Sequence, residues 1–537
     1  MIKKLFSLLS AAWHLAKIIL IFGLYDSLWV FRPFIKSPIL YYGLKTLFFP
    51  IAIFFHFASQ RGKNLTRALI QLGPIAIKFG QGLSVRGDIV GGDVAFTLAK
   101  LQDQLPPFAF RHVEKTIAQD FTTSVSNMFS SFEKTPIASA SIAGVYRATF
   151  HGKKVAVKIL RPHIRKLFLR DVRRLKNLAH WVEKFLPIAV EMKITDMVIT
   201  FEHITAKELD LRSEAAAASE LQKNFYDIKE KFYVPNIHWQ AVSTNILTME
   251  WVDGFRIDDD KNFKRYHLDK EKLLAISAEV FFLQIFRDGF FHADLHPGNL
   301  FFTKQGALIP IDFGIMGRID RSHQLFLAEL LSGFLEKNYE KVARAHEKIG
   351  LLPKEKINPQ DQKEFIAALR AIGEIWLVKN SNDISLAQFL PHLFQTLRQF
   401  GMTPRTNMLL LQKTIIMAEG LSRMLSNKTS IWQLAEPFMQ NWLKQNYTPH
   451  QQLLYLLKNW HKESHESRKK IFNDIIEQLA EWWQILFLSY DKKNWQNFPW
   501  AAIIKDIEDL WHNFHGHIKT TPPPHHPDNQ PNNNDKK

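Results

Sequence analysis

The 537-residue chain contains no cysteine. Its absence excludes disulfides, thiolate nucleophiles and cysteine-ligated metals, the usual iron–sulfur clusters among them. Negative charge is scarce: 52 Asp and Glu stand against 69 Lys and Arg, a formal net charge of +17. A surplus of that size calls for an anionic partner: phospholipid, nucleic acid or nucleotide phosphate. No nucleic-acid-binding motif is present, and the cations are interleaved with Phe, Trp and Leu, so an anionic lipid surface is expected and nucleic acid is not. Nothing resembles a flavin or haem site, and there is no internal repeat. Long uncharged runs are missing too. Thr46 to Gln60 lacks Lys, Arg, Asp and Glu for fifteen residues, and extended back to Ser37 it admits only Lys45, a borderline length against the ~20 apolar residues of a free-standing transmembrane helix, so a span stays open as an alternative.

The first 60 residues are nevertheless apolar and aromatic. Lys3-Lys4 precede Leu5 to Leu9 in the manner of a signal peptide, but the hydrophobicity continues far past any cleavable segment, which argues against secretion. Pro50 and the aromatics fit a helix lying in or re-entering a membrane interface, and a buried helix would suit the same length.

The chemistry is concentrated further on. His292-Ala293-Asp294-Leu295-His296-Pro297-Gly298-Asn299 is followed thirteen residues after Asn299 by Asp312-Phe313-Gly314. In protein kinases a catalytic-loop Asp precedes by five residues an Asn that, with the Asp of Asp-Phe-Gly, holds magnesium on ATP. Asp294 and Asn299 have that interval. A helix from Leu273, ending near Asp288-Gly289, should deliver the loop, and Leu300-Phe301-Phe302 and Ala307 to Ile311 around Lys304-Gln305-Gly306 predict a hairpin that ends at Asp312. His292 and His296 are four apart, a spacing that suits zinc on a helix, but Pro297 and Gly298 oppose a helix there.

Upstream, Val155-Ala156-Val157-Lys158-Ile159-Leu160 predicts a strand whose lysine meets the α- and β-phosphates. Such a lysine needs a carboxylate on a following helix. The stretch Glu208 to Ala218 is helix-forming and offers Glu208 and Glu214, about 240° apart on one helix. Glu214 is assigned to Lys158 and Glu208 to another partner. At the place of a glycine-rich phosphate loop stand Ala138, Ser139, Ala140, Ser141, Ile142, Ala143, Gly144 and Val145, whose Cβ atoms narrow the approach of backbone amides to phosphates. Leu247 to Gly254 predicts a strand and connector where the backbones of Glu250 and Val252 pair with a purine edge; a strand and Asp-Gly turn is the plainer account.

These motifs together resemble the UbiB family, atypical kinase-like proteins that support ubiquinone biosynthesis in bacteria and mitochondria. Lys78-Phe79-Gly80-Gln81, running on to Arg86 and Asp88, matches the family's Lys-x-Gly-Gln signature, and Leu101-Gln102-Asp103 and Pro106-Pro107 follow as the family leads one to expect. The resemblance spans about residues 70 to 320. It implies that the Lys-x-Gly-Gln helix covers the site where a protein kinase holds its peptide, with Lys78 meeting Glu208 or Asp312 and Gln81 near the nucleotide. Gly144 departs from the glutamine common in the family at that place.

The expected fold is α/β (α+β), a protein-kinase-like two-lobed fold with an N-terminal helical extension and additional C-terminal helices. The segments are residues 1–60, membrane-associating; 61–135, helical extension; 136–255, small lobe; 256–425, large lobe, where Phe365, Leu369, Ile372 and Trp376 form a helical stripe; 426–518, a tryptophan- and lysine-rich helical region; and 519–537, a disordered tail. The resemblance implies an ATPase using ATP and Mg2+ at the cytoplasmic face of the bacterial inner membrane. Asp294 would activate water, Asn299 and Asp312 hold the metal, and Lys158, Glu214 and Lys78 complete the site. An anionic membrane lipid, an isoprenoid or quinone intermediate and ubiquinone-biosynthesis enzymes are the partners it implies. A true kinase of a small molecule, lipid or protein, and a nucleotide-gated lipid-binding scaffold, are the alternatives.

Overall fold

The computed structural model describes residues 16–29, 38–56, 61–84, 98, 106–185, 194–351, 359–377, 386–402 and 406–426, and a few positions between 429 and 442. Almost all belong to a unit spanning Met1–Met439; a second unit, Gln440–Lys537, lies outside the described residues except for Trp442. Outside them too are Lys3 to Leu9, Val85 to Asp88, Leu101 to Asp103, Trp432, the tryptophans from Trp460 to Trp511 and the C-terminal tail.

After a helical segment at residues 16–24 come α1 (Pro38–His56), α2 (Arg61–Leu72) and α3 (Pro74–Ser84). Ile21, Phe22 and Leu28 pack with Leu65, Ala68 and Leu69 of α2 and Ile77 of α3. α1 turns apolar side chains outward, with Ile39 85% and Leu47 70% exposed and Tyr42 and Phe49 beside them. Among the described residues no helix is long and apolar enough to cross a membrane.

A five-stranded antiparallel sheet follows α4 (Arg111–Phe121): β1 (Ser131–Phe132), β2 (Ala138–Ser139), β3 (Ala143–Phe150), β4 (Lys153–Leu160) and β5 (Ile246–Glu250), with β3 between β4 and both short strands. Alternation along β4 decides what reaches the site. Val155, Val157 and Ile159 are buried against Val113 and Ile117 of α4. Lys158 points to the other face, where Leu160 packs with Leu211 and Ala215. Between β4 and β5 run α5 (Ile164–Phe185), α6 (Ile194–Glu208) and α7 (Leu211–Asn224). The sequence predicts one helix through Glu208 to Ala218, and here the structure differs. α6 ends at Glu208, and Asp210, in extended conformation, caps α7 by accepting from the Arg212 amide at 3.1 Å.

The larger lobe begins with β6 (Phe255–Arg256) and α8 (Lys270–Phe282), which runs into a π-helical turn, Leu283–Arg287. The stop at Gly289 is obligatory: its φ is +59°, and a Cβ there would stand 2.4 Å from the Ile319 carbonyl oxygen. β7 (Phe290–His292) then pairs with β10 (Met316–Arg318), and β8 (Leu300–Phe302) with β9 (Leu308–Pro310) in the predicted hairpin. Phe302 and Phe313 are fully buried in the core beneath, each contributing about 2–3 kcal/mol of transfer free energy. Among the described residues five helices follow: α9 (Arg321–Leu335), α10 (Tyr339–Lys348), α11 (Pro359–Leu377), α12 (Leu386–Gln399) and α13 (Thr406–Leu425). Phe365 and Leu369 of the predicted stripe are buried on α11.

His346 of α10 is fully buried, edge-on to Phe326 and Phe365, its Nδ1 2.8 Å from the Val342 carbonyl. Burial pushes it down to about 4. The unfolded chain, with an ordinary histidine near 6.5, therefore binds a proton at pH 5 that the folded one refuses, so stability falls as pH drops from about 6.5 to 4. We expect a loss of roughly 3 kcal/mol over that window, measured by chemical denaturation, and a flatter profile for His346→Phe; identical profiles would sink the assignment.

Candidate active site

Lys158, held by the register of β4 with Val145 of β3 and Leu247 of β5, extends its ammonium into the space between the lobes. Its Nζ stands 2.7 Å from Glu214 Oε1 and 3.2 Å from Asp312 Oδ2. Glu214 occupies the first turn of α7, so the Asp210 cap that starts the helix also fixes where this carboxylate points. The expected pairing with Glu214 is the one present. Its cause differs from the expectation, because Glu208 and Glu214 are divided between two helices.

One ammonium thus serves two carboxylates. Burial acts to lower the lysine, but Asp312 and Glu214 outweigh it and hold Lys158 above its ordinary value. Burial opposes ionisation of Asp312 too, yet Lys158, the Gly314 amide at 2.9 Å and the charge of Lys78 keep it well below the usual carboxylate range. Glu214 has the lesser share: burial, reinforced by Asp312, pushes it up to about 7 against the pull of Lys158. The Phe313 amide also donates to Glu214, at 3.3 Å, tying the Asp-Phe-Gly turn to α7.

The catalytic-loop residues assemble around His292. This imidazole is buried, and both nitrogens are occupied: Nδ1 accepts from the Asp294 amide at 3.1 Å, so Nε2 carries the hydrogen and donates to the Asp312 carbonyl at 2.5 Å. Burial lowers its pKa, in keeping with a neutral ring. His296 uses Nδ1 to accept from the Gly298 amide. His292 is therefore a bracket between the two acidic loops, and the zinc reading loses its first ligand. Asn299 donates Nδ2 to Asp294 Oδ2 at 3.1 Å. Asp294 Oδ1 accepts from Lys413 Nζ at 2.8 Å. Burial works against ionised Asp294, and Lys413 more than offsets it, so its pKa is lowered.

Of the two acids expected for Lys78, the lysine pairs with Glu208, at 2.7 Å, while its charge also reaches Asp312. Both members are nearly buried. Gln81 lies three residues further along α3, half-buried.

The small-residue loop is a tight β2–β3 hairpin. Arg161 stitches it from below, donating to the Ala140 carbonyl at 2.9 Å and Ser139 Oγ at 2.8 Å. The Ser141 hydroxyl is buried with no partner among the described residues. Gly144 has a local reason: a Cβ there would meet Phe108 at 3.1 Å, so Phe108 fills the space a longer side chain would need. At the connector, the Glu250 carboxylate accepts from Tyr233 Oη at 2.7 Å and from Asn236, which pins that segment, while the amide of Val252 has no partner among the described residues.

These donors suit a magnesium nucleotide. The Asp312 carboxylate and the Asn299 amide oxygen are hard ligands of the kind magnesium prefers, and so small a set leaves most octahedral positions to phosphate oxygens and water. The Ser141 hydroxyl and the Val252 amide are left without partners among the described residues, as donors reserved for a ligand would be.

Sequence reasoning missed Lys413. It lies 119 residues from Asp294 in a helix that carries no recognisable motif; a lone cation among Leu410, Leu411 and Ile415 was the available signal.

Residues 100–346 match the ABC1 atypical kinase-like domain, and residues 369–430 the UbiB helical domain. A relative named probable protein kinase UbiB from Marinobacter nauticus is 35% identical over 446 residues, covering 80% of each chain. Its namesake from Pseudomonas fluorescens strain SBW25 is 37% identical over 430 residues, covering 79% of each. The solved structure of a Mycobacterium tuberculosis protein in complex with erythromycin, 23% identical, covers 68% of this chain and 96% of its own, with a TM-score of 0.42.

Removal of Lys158 leaves the buried Glu214 carboxylate facing Asp312 without a counter-charge. Lys158→Met should destabilise the fold by roughly 3 kcal/mol, read from denaturant midpoints, and adding Glu214→Leu should recover part of that loss. Simple additivity of the two substitutions would show that they do not share this pair.

Proposed function

The chain belongs to the UbiB family of ABC1 atypical kinase-like proteins, and on that premise we propose that it is a membrane-associated ATPase supporting ubiquinone biosynthesis. One observation supports a damped, regulated activity. Lys78 of the N-terminal extension is ion-paired to Glu208 and adds its charge to Asp312, beside an assembled Lys158–Glu214 pair. A second cation next to a metal-binding carboxylate competes with the metal and damps phosphoryl transfer, as a regulated ATPase requires.

Within this reading Lys158 grips the α- and β-phosphates, and Ala138 to Val145 close over them, with Ser141 donating. Glu250 and Val252 offer backbone groups to adenine. Asp294 orients the attacking water and receives its proton, and Asn299 and Asp312 hold magnesium, which when bound neutralises charge on the β- and γ-phosphates. The exposed Ile39, Tyr42, Leu47 and Phe49 of α1 and the net positive charge support contact with an anionic bilayer. The role implies a bacterial inner membrane, with the site on its cytoplasmic face; the named relatives are bacterial. Isoprenoid or quinone intermediates and their biosynthetic enzymes are the partners this role implies.

Purified protein with ATP and magnesium should release phosphate faster on anionic than on neutral liposomes, and Asp312→Asn should lower the rate by at least about 100-fold. Radiolabel recovered on a lipid, small molecule or protein instead of as free phosphate would favour a true kinase. Retained nucleotide binding with no turnover would favour a nucleotide-gated scaffold.

A further inference from the structure

Both oxygens of the Asp294 carboxylate are held, and the two donors come from different parts of the chain. Asn299, in the catalytic loop itself, takes Oδ2; Lys413, from α13, takes Oδ1 at 2.8 Å. The first lies within residues 100–346, the kinase-like segment, and the second within residues 369–430, the helical domain. Lys413 is only 13% exposed, and Asp294 retains 31%, so the carboxylate stays open to the cleft while the lysine does not. A lysine is seldom buried to that degree without a partner, because desolvating its charge costs several kcal/mol.

The helix that carries Lys413 is anchored to the body of the site. Leu411, Thr414, Ala418, Leu421 and Leu425 are buried along α13, and Leu421 and Leu425 share a core with Leu274, Leu300 and Phe313, against which Leu295 of the catalytic loop also packs. Ser426, just past the helix, hydrogen-bonds to Glu271 at the start of α8. The ammonium therefore has a fixed address relative to the loop it contacts, and no other cation is paired with Asp294 among the described residues.

We infer that Lys413 is a positioning residue for phosphoryl transfer, a part of the active site supplied by the helical domain. Its ammonium and the Asn299 amide fix the rotamer of Asp294, so that one carboxylate orientation meets the acceptor. The same charge stands next to the place where the transferred phosphoryl group is attacked, where it favours the negative charge carried there. On this account the kinase-like segment is catalytically incomplete without α13. The inference rests on the reading of the site as a phosphoryl-transfer centre, but not on which acceptor receives the group.

The test uses the full-length chain and follows ADP formation, which counts hydrolysis and transfer to an acceptor alike. Lys413→Met is expected to lower kcat by about tenfold or more, with KM and the equilibrium affinity for ATP within about twofold of the parent. Lys413→Arg should restore most of kcat, and Lys413→Met should add little to Asp294→Asn. An unchanged kcat overturns the inference. So does a raised kcat, which would make Lys413 a restraint, and so does joint loss of kcat, ATP affinity and thermal stability without rescue by arginine, which would make it a staple between helix and lobe. No ADP from the parent itself overturns the phosphoryl-transfer reading and the inference with it, whereas ADP from the parent and equally from Lys413→Met removes the inference alone.

Discussion

A single buried ammonium shared by two carboxylates sets the terms for the rest of this site. Lys158 cannot satisfy Glu214 and Asp312 equally: Asp312 has the Gly314 amide as well and is held low, while Glu214, more deeply buried, is pushed up to about 7. Three elements must be in register for that sharing to occur. β4 must alternate so that Lys158 faces inward, α7 must start at Asp210 so that Glu214 lies in its first turn, and the Asp-Phe-Gly turn must close so that Phe313 donates to Glu214. An ion pair of this kind contributes little net stability, because desolvation consumes most of its Coulomb energy; its value is that misplacing any one element leaves a buried charge unpaired.

The same logic is repeated twice at the edges. Lys78 brings the N-terminal extension to Glu208, and Lys413 brings the helical domain to Asp294, each at hydrogen-bonding distance and each mostly buried. Every acid in the centre thus has a lysine, and the three lysines come from three separate segments. Of the three, Lys158 and Lys78 act on the Asp312 carboxylate, where an ammonium and a magnesium ion would seek the same oxygens, while Lys413 acts on Asp294.

Much of this was legible in the sequence because chemistry in this fold is carried by short contiguous motifs. The loop from His292 to Asn299, the Asp312 turn, the Lys158 strand and the hairpin at Lys304 to Gly306 each declare themselves through local spacing, and the family's Lys-x-Gly-Gln signature offered Glu208 or Asp312 as the partner of Lys78, between which only the structure chooses. The break between α6 and α7 was readable in principle, since Asp210 followed by Glu214 is a helix-start pattern, but the run of alanines after it outweighed that signal. Lys413 was not readable. Nothing local distinguishes a lysine that crosses 119 residues to the Asp294 carboxylate from one that turns to solvent; the difference is made by how α13 packs on α8, which only tertiary structure specifies.

The small-residue loop shows how the departure from a glycine-rich loop is built. Glycines let a phosphate loop sample many backbone states and mould itself to the nucleotide; here alanines narrow the choice, the β2–β3 pairing narrows it further, and Arg161 fixes what remains through the Ala140 carbonyl and the Ser139 hydroxyl. Phe108 over Gly144 and Arg161 over Phe108 complete a stack behind the turn. The loop is therefore already formed before any ligand arrives. Preorganisation of that sort lowers the entropic cost of binding, yet it also removes the freedom to tighten around a transition state. On the proposed function, a preformed loop and the charge of Lys78 beside Asp312 act in the same direction, toward slow turnover, whereas Lys413 acts on the orientation of Asp294.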